Sequence, residues 1–100
     1  MGAIAVERVL VEIIDTPADA AVERADEILA RLAKAGWTGQ ILLHGEEEAC
    51  WPVLDHAFRL GLPSRIGLED TLVDPDGRPA TDNADLITHA LAIWYDAQAG

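Results

Sequence analysis

Val9-Leu10-Val11-Glu12-Ile13-Ile14 is rich in β-branched residues and almost continuously apolar. A strand with one face in water alternates polar and apolar residues. A run interrupted by a single charge is instead the mark of a strand covered on both faces, as in parallel sheets. Asp15-Thr16-Pro17 follows, a capping residue and then a proline where the first helical position tolerates a missing N–H. From Ala18 to Ala35, the apolar residues Ala21, Val22, Ala25, Ile28, Leu29 and Leu32 recur at spacings of three and four. Glu23, Arg24, Asp26, Glu27 and Lys34 fill the other side, and Gly36 closes the predicted amphipathic helix.

The pattern then repeats. Gln40-Ile41-Leu42-Leu43-His44 reads as a second strand, with Gly45 just past its end. Glu46-Glu47-Glu48 sits where the first turn of a helix favours negative charge. Pro52 means that this helix either starts near Trp51 or starts near Glu47 and bends. Val53, Leu54, Ala57, Phe58 and Leu60 carry its apolar face to a stop at Gly61. Ser64-Arg65-Ile66-Gly67-Leu68-Glu69-Asp70 reads as a third strand ending in two carboxylates. Asp74-Pro75-Asp76-Gly77-Arg78-Pro79 is a turn, Thr81-Asp82-Asn83 a cap, and Ala84 to Ala97 a last helix with Leu86, Ile87, Ala90, Leu91 and Trp94 on one face.

Strands about 30 residues apart with a helix after each give β-α-β-α-β-α, the spacing of βαβ units. The expected class is α/β with parallel strands, a three-unit segment of a (β/α) barrel or of an open doubly wound sheet. A complete barrel needs eight units and about 250 residues, whereas the 100 residues here make a single segment, 1–100. Three strands leave two apolar edges, which favour self-association.

Net charge is −11, from 18 acids against 7 bases. Such a surface repels nucleic acid and anionic membranes. No apolar run approaches the roughly 20 residues that span a bilayer, and Met1 to Arg8 lacks the pattern of a secretory signal. The single cysteine, Cys50, excludes a disulfide framework and suits a reducing cytoplasm; a nucleophilic role is not expected of it. Phosphate-binding glycine loops are absent.

Asp15, His44, Glu69 and Asp70 fall at the carboxyl ends of the predicted strands, the side where ligands bind in this architecture. Carboxylates and an imidazole converging there suit divalent-metal binding or acid–base chemistry. Simpler roles stand beside these: Asp15 as a helix cap, His44 as a hydrogen-bonded core histidine, Arg65 as the ion-pair partner of a buried Glu12. Arg65 and Glu69, four apart, share strand parity and therefore one face. Glu46 to Glu48 reads as a solvated helix start, and His56 and His89 as surface or satisfied positions.

Leu42-Leu43-His44-Gly45-Glu46, Trp51-Pro52-Val53-Leu54, Arg65-Ile66-Gly67-Leu68-Glu69-Asp70-Thr71-Leu72 and Pro75-Asp76-Gly77 through Asp82-Asn83-Ala84-Asp85-Leu86 together resemble the C-terminal part of the β-keto acid cleavage enzymes, the family of 3-keto-5-aminohexanoate cleavage. The resemblance covers nearly the whole chain in order. It implies a partial TIM (β/α)8 barrel, the last three βα units, from a family that usually forms homo-oligomers. It also implies zinc and the conversion of a β-keto acid plus acetyl-CoA into acetoacetate and a new acyl-CoA. Glu69 would then be a zinc ligand, Asp70 the general base at the substrate α-carbon, and Arg65 its charge partner with N-cap Asn83 downstream; His44, by its place at a strand end rather than by the resemblance, is a candidate ligand or substrate contact.

The family's His-x-His zinc pair is missing, and a lone carboxylate does not hold a catalytic zinc, which typically has three protein ligands. The expectation is a fragment or split member, inactive unless a complementing barrel segment supplies the remaining ligands. Whether this chain is itself an enzyme stays open. The alternative is a non-catalytic remnant or interaction module that self-associates or pairs with a full-length paralogue.

Overall fold

The computed structural model describes residues 8–99; the reading of the first seven residues as no secretory signal lies outside them. Strand β1 (Arg8–Ile13) and strand β2 (Gln40–Gly45) pair in parallel, with Leu10 opposite Leu42, Glu12 opposite His44 and Ile13 opposite Gly45. Helix α1 (Ala18–Lys34) makes the crossover between them. A 3₁₀ turn (Glu47–Ala49) leads into helix α2 (Cys50–Arg59), and helix α3 (Asn83–Ala99) completes the described chain.

Odd-numbered residues of the two strands build the core. Val11, Ile13 and Leu43 pack with Ala21 and Ala25 of α1 and with Ala49, Val53 and Ala57 of the 3₁₀ turn and α2. Small alanines on the helices let them approach the sheet closely. The opposite face carries Leu10, Glu12, Leu42 and His44, and Leu10 there is 47% exposed. Only one face of the sheet is therefore packed by helices, not both as the apolar run of β1 predicts. α3 docks on α2 through Leu86 and Ala90, while Ile87, Leu91 and Trp94 stay largely exposed.

Several local expectations hold. Gly36 and Gly61 follow their helices with φ of +91° and +76°, the left-handed conformation that glycine adopts without steric cost. Pro52 lies in the first turn of α2, where its absent N–H would have no helical partner. Asp74 organises the predicted turn: its Oδ1 accepts from the amides of Asp76 and Arg78 at 2.9 and 3.0 Å, and Gly77 N–H donates to its carbonyl.

Others are corrected. Asp15 does not cap α1. It adopts φ +51°, and Pro17 stands at the N-cap with no side-chain hydrogen bond. Asn83 is not the cap of α3. Asp82 Oδ1 accepts from the Asp85 amide at 2.8 Å and Asp85 Oδ2 from the Thr81 amide at 3.1 Å, a reciprocal pair that satisfies the open helix end.

The third strand does not form among the described residues. Segment 62–67 passes beside β2, and Leu43 N–H donates to Pro63 O at 3.0 Å, but no ladder follows. Pro63 has no N–H to exchange, and the chain turns at Gly67, where the Asp70 amide donates back to Gly67 O at 2.9 Å. The observed architecture is a mixed α/β fold with a two-stranded parallel sheet.

Candidate active site

Glu69 and Asp70 thus stand on a turn, not on a strand, and strand parity no longer places Arg65 and Glu69 on one face. Leu68 through Asp70 separates the two acids sharply. Asp70 is buried; Glu69 is exposed, with its carboxylate folded back over Gly67. A Cβ at position 67 would meet that carboxylate, the far end of an exposed side chain that is free to swing away.

Distant groups hold the turn. Asn83 Oδ1 accepts from the Leu68 amide at 2.9 Å. The Glu47 amide donates to Asp70 O at 2.7 Å, and Trp51 Nε1 donates to Val73 O at 2.9 Å. Start of α3, 3₁₀ turn and start of α2 together set Asp70 over the carboxyl ends of β1 and β2.

There it meets His44. The imidazole is fully buried, although it stands on the face of the sheet that the helices leave open. Its Nδ1 lies 3.5 Å from Asp70 Oδ1. Its Nε2 lies 3.6 Å from Glu12 Oε1, on the residue paired with it in register. The Arg65 guanidinium reaches Asp70 Oδ1 at 3.9 Å from the solvent side. These are ion-pair distances. Neither His44 nitrogen and neither Asp70 oxygen has a hydrogen-bond partner among the described residues, so a buried donor–acceptor set is left unsaturated.

Burial pushes the Asp70 carboxyl above its ordinary range. His44 and Arg65 pull it back in part, while Glu69 and Glu12 push it further up. Desolvation disfavours the charged form of a carboxyl, and that effect dominates. A buried acid so perturbed, next to an imidazole and a guanidinium, has the properties of a proton-transfer group. Beneath it, the buried Cys50 thiol is pushed up to about 12, first by burial and then by the charges of Asp70 and Glu47. At neutral pH it stays a thiol.

The predicted residues fall into two groups. Arg65, His44 and Asp70 come together; Asp15 and Glu69 do not join them. Asp15 lines a separate cleft of about 400 Å³ with Thr16, Pro17, Glu47 and Glu48. Glu12 pairs with His44, not with Arg65, and its side chain is 38% exposed instead of buried. His56 is satisfied by Asp26 at 2.7 Å, and His89 stands by Asp85 and Asp74 at 3.5 and 3.8 Å. Sequence reasoning missed Glu12 as a member of the cluster; its signal was a lone charge in an apolar strand, in register with His44. Asn83 and Trp51 belong to the motifs that carry the resemblance, and only the tertiary structure makes them anchors.

Among the described residues, no three His, Cys, Asp or Glu side chains form a group suited to a metal ion. Glu12 and Asp70 approach opposite nitrogens of one ring, so they cannot share an ion with His44. The described residues by themselves do not fit a zinc site.

The fold and this cluster define an α/β protein with a buried His44–Asp70 pair, flanked by Arg65, at the carboxyl ends of parallel strands. A family model described as beta-keto acid cleavage enzyme matches residues 5–99, and the chain belongs to that family. No curated protein and no solved structure gives a significant match. No helix among the described residues is long and apolar enough to cross a membrane.

Proposed function

We propose that this chain contributes the proton-transfer end of a β-keto acid cleavage site, as part of a TIM-barrel enzyme acting on a β-keto acid and acetyl-CoA. The observation that carries the proposal is the burial of Asp70, with its raised carboxyl pKa, between His44 at 3.5 Å and Arg65 at 3.9 Å. A base whose pKa is raised toward the working pH is better matched to removing a weakly acidic C–H proton.

Asp70 would take a proton from the carbon between the keto and carboxylate groups, leaving an enolate. The enolate carbon would bond to the acetyl carbonyl of acetyl-CoA and expel the CoA thiolate. Attack of that thiolate on the keto carbonyl would break the original carbon–carbon bond, giving the new acyl-CoA and the acetoacetate enolate, which Asp70 reprotonates. Arg65 would hold the Asp70 carboxylate and face the anionic substrate. His44 is buried behind Asp70 and would act on the substrate through it, not by direct contact.

Glu69, exposed beside this centre, would supply one ligand to a zinc ion whose other ligands lie outside the described residues. We propose that the chain is inactive unless they are provided by a complementing barrel segment or within a homo-oligomer. Exposed Leu10 and Ile14, each 47% accessible, favour the second reading, a non-catalytic module that pairs with itself or with a full-length paralogue.

The test is acyl transfer from acetyl-CoA to a panel of β-keto acids. The chain is assayed alone and co-expressed with a full-length family member, as wild type and as Asp70→Asn. Activity that needs the companion chain and is lost in the variant supports the proposal. Equal activity of the two forms removes Asp70 as the base. Turnover by this chain alone, with stoichiometric zinc, overturns the incomplete site.

A further inference from the structure

We propose that Glu12 is a positioning residue that fixes the His44 ring and, through it, the direction of the Asp70 carboxylate. The inference rests on Asp70 being the base. It starts from the register: parallel pairing puts Glu12 directly opposite His44 on the face of the sheet that carries no helix. The two carboxylates then approach opposite nitrogens of one rigid ring, Glu12 Oε1 at 3.6 Å from Nε2 and Asp70 Oδ1 at 3.5 Å from Nδ1.

A histidine ring has two orientations related by a half-turn about its Cβ–Cγ bond, and packing alone distinguishes them poorly because the ring outline is nearly the same. The half-turn would put Cε1 toward Glu12 and Cδ2 toward Asp70, and both carboxylates would face carbon. Only the observed orientation gives each a nitrogen. No other group competes for the ring: neither nitrogen makes a hydrogen bond among the described residues, and Glu12 and Asp70 are the carboxylates that stand at ion-pair distance from them.

A carboxylate that closes this 3.6 Å gap to a hydrogen bond accepts, which selects the ring form with its hydrogen on the nitrogen that faces Glu12. Nδ1 is thereby directed at Asp70, ready to donate to it or accept from it. Arg65 is a poorer guide, because its side chain is 45% exposed and reaches the same oxygen at 3.9 Å. Asp70 oxygens make no hydrogen bond of their own, which leaves His44 as the buried group that aims the carboxylate.

The experiment is long-range ¹⁵N–¹H correlation spectroscopy of the His44 ring in the full chain, for wild type, Glu12→Gln, Glu12→Ala and Asp70→Asn. Wild type is expected to show one ring form with a protonated Nε2. Glu12→Gln keeps a carbonyl acceptor and retains that form. Glu12→Ala loses it, giving two ring forms or a changed tautomer. Asp70→Asn leaves the Nε2 proton in place. In the companion-chain assay, Glu12→Ala lowers kcat about 10²-fold with KM little changed, the scale of an ångström-sized misplacement, and Glu12→Gln restores most of it. A Glu12→Ala spectrum identical to wild type overturns the inference, as does a Glu12→Gln spectrum that matches Glu12→Ala. If the spectra follow expectation while Asp70→Asn keeps full activity, the assignment of the base has failed and the positioning contact has not. If Asp70→Asn is inactive and Glu12→Ala is spectroscopically silent, only the positioning role is lost.

Discussion

Replacing Asp70 by asparagine should make this protein more stable at neutral pH. The Asp70 side chain has no solvent exposure and neither oxygen is hydrogen-bonded. An unpaired buried acceptor costs about 1–3 kcal/mol, and more when charged. Asparagine keeps the shape and removes the charge but retains two polar atoms, so the recovered stability should sit at the low end, about 1 kcal/mol. For a domain of this size that corresponds to a rise in Tm of roughly 4–8 °C.

The pH dependence gives the stricter test. Asp70 has its carboxyl raised in the folded chain above the ordinary carboxylate value, first by burial. Below that value both folded and unfolded chains hold the proton, and wild type and variant should be alike. As pH rises through it, the unfolded chain ionises first and gains stability relative to the fold. Wild type therefore loses stability until the folded carboxyl has also ionised, and the variant does not. Urea titrations of both proteins between acid and neutral pH should show a gap that opens above about pH 4 and then levels off. A variant less stable than wild type at pH 7 would refute the reasoning, and so would a gap of equal size at every pH. Groups remote from Asp70 contribute equally to both proteins and cancel in the difference.

Gly45→Ala should lower the urea midpoint, because the new Cβ would lie 2.5 Å from the Ala49 carbonyl oxygen and 2.7 Å from its carbon. Overpacking against backbone typically costs about 1–3 kcal/mol, and an unchanged midpoint would show that the 3₁₀ turn yields freely. Asn83→Ala removes the acceptor for the Leu68 amide; a loss of about 1 kcal/mol and faster hydrogen exchange at Leu68 are expected, and unaltered exchange there would argue against the clamp. Cys50, buried and with its thiol pushed up to about 12, should resist iodoacetamide at pH 8 in the native chain and react readily in concentrated urea. Equal rates in the two conditions would contradict the burial.

The chemistry of the site was legible as residue types before it was legible as geometry. Arg65 and Asp70 were singled out from a short apolar run with charges at its ends, and they do meet. Arg65 and Glu69 share a face only on a strand that runs through residue 70; the turn at Gly67 breaks that parity and turns Asp70 inward instead. The turn is held by Asn83 and Trp51, residues 15 and 22 positions from their partners. Local propensity carries no information about such anchors. Asp15 failed as a cap for a local reason, its positive φ at the strand exit.

What the sequence determined by itself is the set of elements: a β-branched run for β1 and a short apolar run for β2, apolar residues at spacings of three and four for the helices, and glycines that stop α1 and α2. These follow from side-chain sterics and from which face must leave water, both of which act over a few residues. Tertiary structure decided the rest. The register that sets Glu12 against His44, the failure of segment 62–67 to pair as a strand, and the burial of Asp70 beside an exposed Glu69 each depend on contacts between residues far apart in the chain. The free energy of those contacts is set by packing and desolvation in the assembled fold, and no local pattern encodes it.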